Sequence, residues 1–107
     1  VADSKSKAKQ IEELEAKHGR GCHLTTEGGK LLFFRALTLD EYEDYQDRLG
    51  KGKRGPILRE MAQVTCVNAS PEELSTEFQK TPALAGRVSD ALAELAGGDL
   101  EVTVKKG

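Results

Sequence analysis

The sequence predicts a small α+β domain, a β-hairpin packed on a bundle of four to five short helices, and three observations lead there. Between Pro56 and Val67 apolar residues are so dense that only Arg59, Glu60 and Gln63 remain clearly polar, the pattern of a helix buried around most of its circumference. Two apolar-rich runs meet at Glu27-Gly28-Gly29, as strands meet at a tight turn. Thr38-Leu39-Asp40-Glu41 and Ser70-Pro71-Glu72-Glu73 each place a hydroxyl three residues before a glutamate, the capping-box signature of a helix start.

The totals limit what can be built. A chain of 107 residues is large enough for one modest core and too small for two. With 37% hydrophobic and 32% charged residues and no Trp, that core is lean, and self-association or a partner chain is expected to supply part of the stability. A formal net charge of −2 argues against a protein that holds nucleic acid by bulk positive charge, while leaving a local basic patch open. No run is long and apolar enough to span a membrane. The first ten residues lack the apolar centre of a signal peptide, so the chain is expected to stay in the cytoplasm. Cys22 and Cys66 are far apart in such a chain and read as free thiols.

In chain order, residues 1–20 read as a polar arm followed by a short helix from Gln10 to His18. Ala8, Ile11 and Leu14 give that helix a narrow apolar stripe, and Gly19 and Gly21 stop it. The single globular unit is expected over 21–98. Its first strand is Cys22–Thr26 and its second Lys30–Ala36. Leu31, Phe33 and Arg35 alternate there with Leu32, Phe34 and Ala36, so both faces carry apolar groups and the face away from the helices is expected to meet a partner. After the first capping box, Leu39, Tyr42, Tyr45 and Leu49 share a helix face, and Gly50 is expected to end the helix. Pro56 fits the first position of the next one, where its missing amide is harmless. A short helix with Leu74 and Phe78 follows. The last helix is expected from Pro82 to Ala96, with Leu84, Val88, Ala91, Leu92 and Leu95 inward and Gly97-Gly98 as the stop. Residues 99–107 read either as a third strand beside the hairpin or as a flexible tail.

Chemical motifs are sparse. Gly50, Gly52 and Gly55 match G-x-G-x-x-G, but a helix precedes them where a nucleotide-binding fold needs a strand, and Pro56 stands where a phosphate-loop lysine belongs. Lys51, Lys53 and Arg54 form a basic cluster, read as a solvated loop with a contact to nucleic acid or an acidic partner as the alternative. His18, Cys22, His23 and Cys66 are zinc-donor types without zinc-site spacing, so neither metal nor cofactor is expected. Asp40 to Asp47 reads as a solvated acidic helix face, and Asn68-Ala69-Ser70 as a turn and cap rather than a glycosylation site. No nucleophile, base and acid fall in a recognisable triad, and no enzyme is expected.

The order of parts from Cys22 to Gly98 resembles the tail assembly chaperones of long-tailed bacteriophages and prophages. It is carried by the glycine-turn hairpin, F-F-R-A-L-T-L-D-E-Y-E-D-Y, the apolar helix, S-P-E-E-L and T-P-A-L-A-G-R-V-S-D-A-L-A-E-L-A-G-G. Residues 1–20 have no counterpart in it. The resemblance implies a non-enzymatic protein of the infected bacterium's cytoplasm. It would bind the long, helical tape measure protein, or another tail protein, during tail assembly and be absent from the finished particle. A longer frameshifted product is a further implication. Phe33, Leu39, Tyr42 and Tyr45 are the expected partner-binding surface, shielding apolar stripes of the partner, and a homo-oligomer is compatible with this. Two alternatives stand beside it: a small nucleic-acid-associated regulator using residues 51–54, and a structural tail or capsid component.

Overall fold

A computed structural model describes residues 6–98 and 103. The chain runs α1 (Lys7–His18), β1 (Gly21–Thr25), β2 (Leu31–Arg35), α2 (Leu39–Lys51), α3 (Arg54–Thr65), α4 (Pro71–Lys80) and α5 (Leu84–Ala93). It is an α+β fold, a two-stranded antiparallel hairpin packed on helices, as the sequence predicts. The expected third strand or tail, residues 99–107, lies outside the described residues apart from Thr103.

α1 begins earlier than its apolar stripe indicates, because the Ser6 hydroxyl accepts the Lys9 amide and starts the helix inside the expected arm. Gly19 ends it at φ +86°, a conformation glycine adopts without a Cβ penalty. Gly21 belongs to β1, not to the helix stop. The strands pair from Gly21 with Arg35 to Thr25 with Leu31, and Gly29 turns the hairpin at φ +89°.

This register sorts the side chains by face. Cys22 and Leu24 lie opposite Phe34 and Leu32 and join the main core with residues of α2, α3, α4 and α5. His23 and Thr25 lie opposite Phe33 and Leu31 on the other face. That second face is not left for a partner: Leu31 is 7% exposed and Phe33 0%. The Phe33 ring closes over Gly21, and α1 packs beside both strands.

α3 is the central helix, packed on α2, on β2 and, most broadly, on α5. It buries Ile57, Leu58, Met61, Ala62 and Thr65. These positions make one broad stripe and not a full circumference: Val64 is 46% exposed, and Cys66 and Val67 lie beyond the helix. The backbone leaves the helix at Cys66 because β2 has an outer edge to satisfy. Cys66 bridges to Phe34, and the Val67 amide donates to the Phe33 carbonyl at 3.0 Å. Thr65, buried with a hydroxyl, donates to the Met61 carbonyl within its own helix.

Both capping boxes are present, at Thr38/Glu41 and Ser70/Glu73. α2 runs through Gly50 to Lys51, since nothing at Gly50 demands a non-helical backbone, and Gly52 caps it. The basic loop therefore shrinks to Gly52 and Lys53 between two helices, and Pro56 falls in the first turn of α3 rather than at its first position. α5 starts at Leu84, after a turn in which the Leu84 amide donates to the Thr81 carbonyl. It widens into a π turn over Glu94–Gly98, where Gly97 takes φ +95°.

Candidate functional site

The residues expected to form a partner-binding surface do not share one. Phe33 (0% exposed) and Tyr45 (4%) are core side chains. Strand alternation and helix spacing placed them on faces that the chain itself covers. Burial also raises the Tyr45 hydroxyl above its ordinary pKa. Leu39 stands out at 71% exposure in the first turn of α2, and Tyr42 is half-buried. Tyr42 and Tyr45 border a crevice with Leu37 and Met61 of about 10 Å³, room for no more than a water molecule.

Lys51, Lys53 and Arg54 are all exposed, but Lys51 pairs with Asp47 at 3.2 Å one helical turn back. Asp44 likewise reaches Arg48, so two carboxylates of the exposed acidic face of α2, Asp44 and Asp47, pair within the helix. Arg48 also grips Glu60 of α3 through two hydrogen bonds of 2.7 Å and lies 5.3 Å from the Tyr45 ring centroid.

Among the described residues no group of three or more His, Cys, Asp or Glu could hold a metal ion. Cys22 and Cys66 are free and flank Phe34 on neighbouring backbone segments. Burial pushes the Cys22 thiol up to about 11 and also raises Cys66, which keeps both protonated and weakly nucleophilic at neutral pH.

Glu41 is the one carboxylate of α2 drawn into the fold. Arg35 at the end of β2 donates both terminal nitrogens to its two oxygens at 2.9 Å, and the Thr38 amide adds a bond of 3.0 Å. The guanidinium, with that amide, holds Glu41 at about 2 against an ordinary 4.5. Lys30 and the Ser70 amide hold exposed Glu73 at about 2 as well. The folded state thus binds fewer protons than the unfolded chain between these values. The stabilisation is complete above about 4.5 and is lost as pH falls toward 2. Arg35→Gln is expected to flatten this acid-side loss, measured as urea stability at a series of pH values. An unchanged slope in the variant would show that the Arg35–Glu41 pair does not set it.

Two features had no clear sequence signal. The Asn68 carboxamide lies along the outer edge of β2, accepting the Phe33 amide at Oδ1 and donating from Nδ2 to the Leu31 carbonyl, each at 3.0 Å. The other is an open groove of about 550 Å³. The first turns of α3, the end of α4, the turn at Pro82-Ala83 and α5 enclose it. Leu58, Phe78 and Ala85, all mostly buried, border it with Gly86, and Arg59 and Arg87 stand at its sides. Gly86 and Arg87 belong to the T-P-A-L-A-G-R stretch, which periodicity reads only as the start of an amphipathic helix.

Among the described residues no helix is long and apolar enough to cross a membrane. No family model and no curated protein matches the chain. A solved structure, the uncharacterised protein rbstp2171 from Bacillus stearothermophilus, is similar to it with a TM-score of 0.68 and 21% identity. The match spans 89% of this chain and 99% of that one, and at this identity it speaks for the shared fold alone.

Proposed function

We propose that this chain is a non-enzymatic tail assembly chaperone that acts in the bacterial cytoplasm and binds the tape measure protein while the tail is built. Two things support the reading: the resemblance in layout from Cys22 to Gly98, and the open groove between α3, α4 and α5. The groove is the observation that carries it. A cleft of about 550 Å³ with mostly buried apolar side chains along it is the kind of surface on which another chain's apolar residues dock. Exposed Leu39 and half-buried Tyr42 offer a second, smaller contact, in place of the four-residue surface expected from the sequence.

The test is co-expression of the chain with the tape measure protein from the same phage or prophage genome. The expected result is a several-fold rise in soluble tape measure protein, co-purification of the two after nuclease treatment, and absence of the chain from purified particles. No gain in solubility and no complex would overturn the proposal. Recovery of the chain in purified particles at a fixed ratio to the tail proteins would instead favour a structural component.

A further inference from the structure

The groove has a chemistry as well as a shape. Arg59 on α3 and Arg87 on α5 both border it, and among the described residues neither forms an ion pair. Arg59 folds back over the first turn of its own helix, with Nη1 3.5 Å from where a Cβ on Gly55 would lie. The amino-terminal turn of α3 and the start of α5 meet the same groove, and neither N-cap, Lys53 nor Ala83, supplies a side-chain acceptor. Positive potential from two guanidinium groups and two helix starts is thus gathered beside an apolar cleft. Asp90, one turn beyond Arg87, is the single carboxylate among the lining residues.

Gly86 adds a steric observation. A glycine inside a helix lowers its stability, and this one is not required by packing, since a Cβ built on it meets nothing within 4 Å. Its bare backbone leaves the groove open.

We propose that the groove is the docking site for an amphipathic helix that carries carboxylates beside its apolar stripe, the apolar anchors entering the cleft and the carboxylates meeting Arg59 and Arg87. The proposal rests on the reading of this chain as a chaperone for a helical partner and specifies which segments of that partner it takes: acid-flanked apolar stripes, not basic ones. Charge complementarity is the reason for this choice of occupant. Two guanidinium groups that form no ion pair among the described residues discriminate by attracting carboxylates and repelling lysines.

The experiment uses the full chain and two labelled synthetic helical peptides with the same leucine stripe, one flanked by glutamates and one by lysines, with binding read by fluorescence anisotropy at low and high salt. The glutamate peptide is expected to bind about tenfold tighter at low salt, equivalent to about 1.4 kcal/mol, with the difference shrinking at high salt. Arg59→Glu/Arg87→Glu should reverse the preference. Gly86→Leu, which fills open space and leaves the circular dichroism spectrum unchanged, should weaken the glutamate peptide about tenfold. Equal affinity for both peptides, or undiminished binding by folded Gly86→Leu, would overturn the proposal. So would a dimer of the chain that Gly86→Leu dissociates in the absence of any peptide binding, which would make a second copy the occupant. Co-expression separates this from the broader reading: if Gly86→Leu still keeps the tape measure protein soluble, the groove is wrong and the chaperone stands.

Discussion

Replacing Asn68 with alanine is expected to cost the domain about 2–4 kcal/mol, a large part of the roughly 5–15 kcal/mol that holds a domain of this kind folded. The reason lies in the outer edge of β2. Strand pairing with β1 uses the backbone groups of alternate residues and leaves those of Leu31 and Phe33 pointing the other way. Both residues are buried, so these groups have little access to water. Val67 satisfies the Phe33 carbonyl, and the Asn68 carboxamide supplies the donor for Leu31 and the acceptor for Phe33, in the manner of a neighbouring strand. Alanine removes both partners and leaves one amide and one carbonyl unpaired.

Asn68→Asp sharpens the test. The carboxylate still accepts from Phe33 but presents an oxygen to the Leu31 carbonyl, so it should be nearly as damaging at neutral pH. Its deficit relative to the unchanged chain should narrow below about pH 4, where a protonated carboxyl can donate. Urea unfolding of the two variants at several pH values measures this. A loss under about 0.5 kcal/mol in Asn68→Ala would show that water replaces the carboxamide at little cost.

The second large effect is expected at Gly21. Gly21→Ala should destabilise the domain by about 2–3 kcal/mol, although alanine is a modest change in a strand. A Cβ there would stand 2.4 Å from the Phe34 carbonyl oxygen and 2.6 Å from Cζ of Phe33. The ring lies against the strand, and the oxygen belongs to the paired backbone, so neither can move without opening the hairpin or lifting Phe33 from its buried place. Gly50→Ala is the matched control. Gly50 sits in α2 with nothing within 4 Å of the added carbon, and the substitution should stabilise by about 0.5–1 kcal/mol. Adding Phe33→Leu to Gly21→Ala should not restore full stability, because the Phe34 carbonyl remains in the way. Thermal or urea unfolding of the set decides it, and a Gly21→Ala chain as stable as the unchanged one would contradict the close packing.

Glycine in this chain has two meanings that a linear reading merges. Gly19 and Gly29 turn the backbone at positive φ and were legible as stops and turns. Gly21, two residues from Gly19, looked like part of the same stop. Its purpose is set by an aromatic ring from a residue 12 positions later, folded over it by strand pairing. Phe33 and Tyr45 show the same limit from the other side. Their spacing in strand and helix was read correctly, yet exposure depends on what else covers a face, and the chain covers both.

The groove was not legible because none of its parts is unusual alone. Gly86 and Arg87 are ordinary residues of an amphipathic helix, and Arg59 reads in the sequence only as a wet position on α3. Their juxtaposition arises when α5 packs along α3 after the turn at Pro82.

Residue type and spacing alone specify the local units of this protein: the capping boxes at Thr38 and Ser70, the glycine turn of the hairpin, and the apolar period of α5. These depend on interactions within a few residues, where residue type and spacing suffice. Packing in three dimensions is what assigns Val67 and Asn68 to the edge of β2, the space beside Gly21 to Phe33, Glu41 rather than its acidic neighbours to Arg35, and a basic-sided groove to the gap between α3 and α5. Hydrogen bonds, close packing and charge act over a few ångströms in space, and these partners are distant along the chain or chosen among equivalent neighbours until the backbone brings them together.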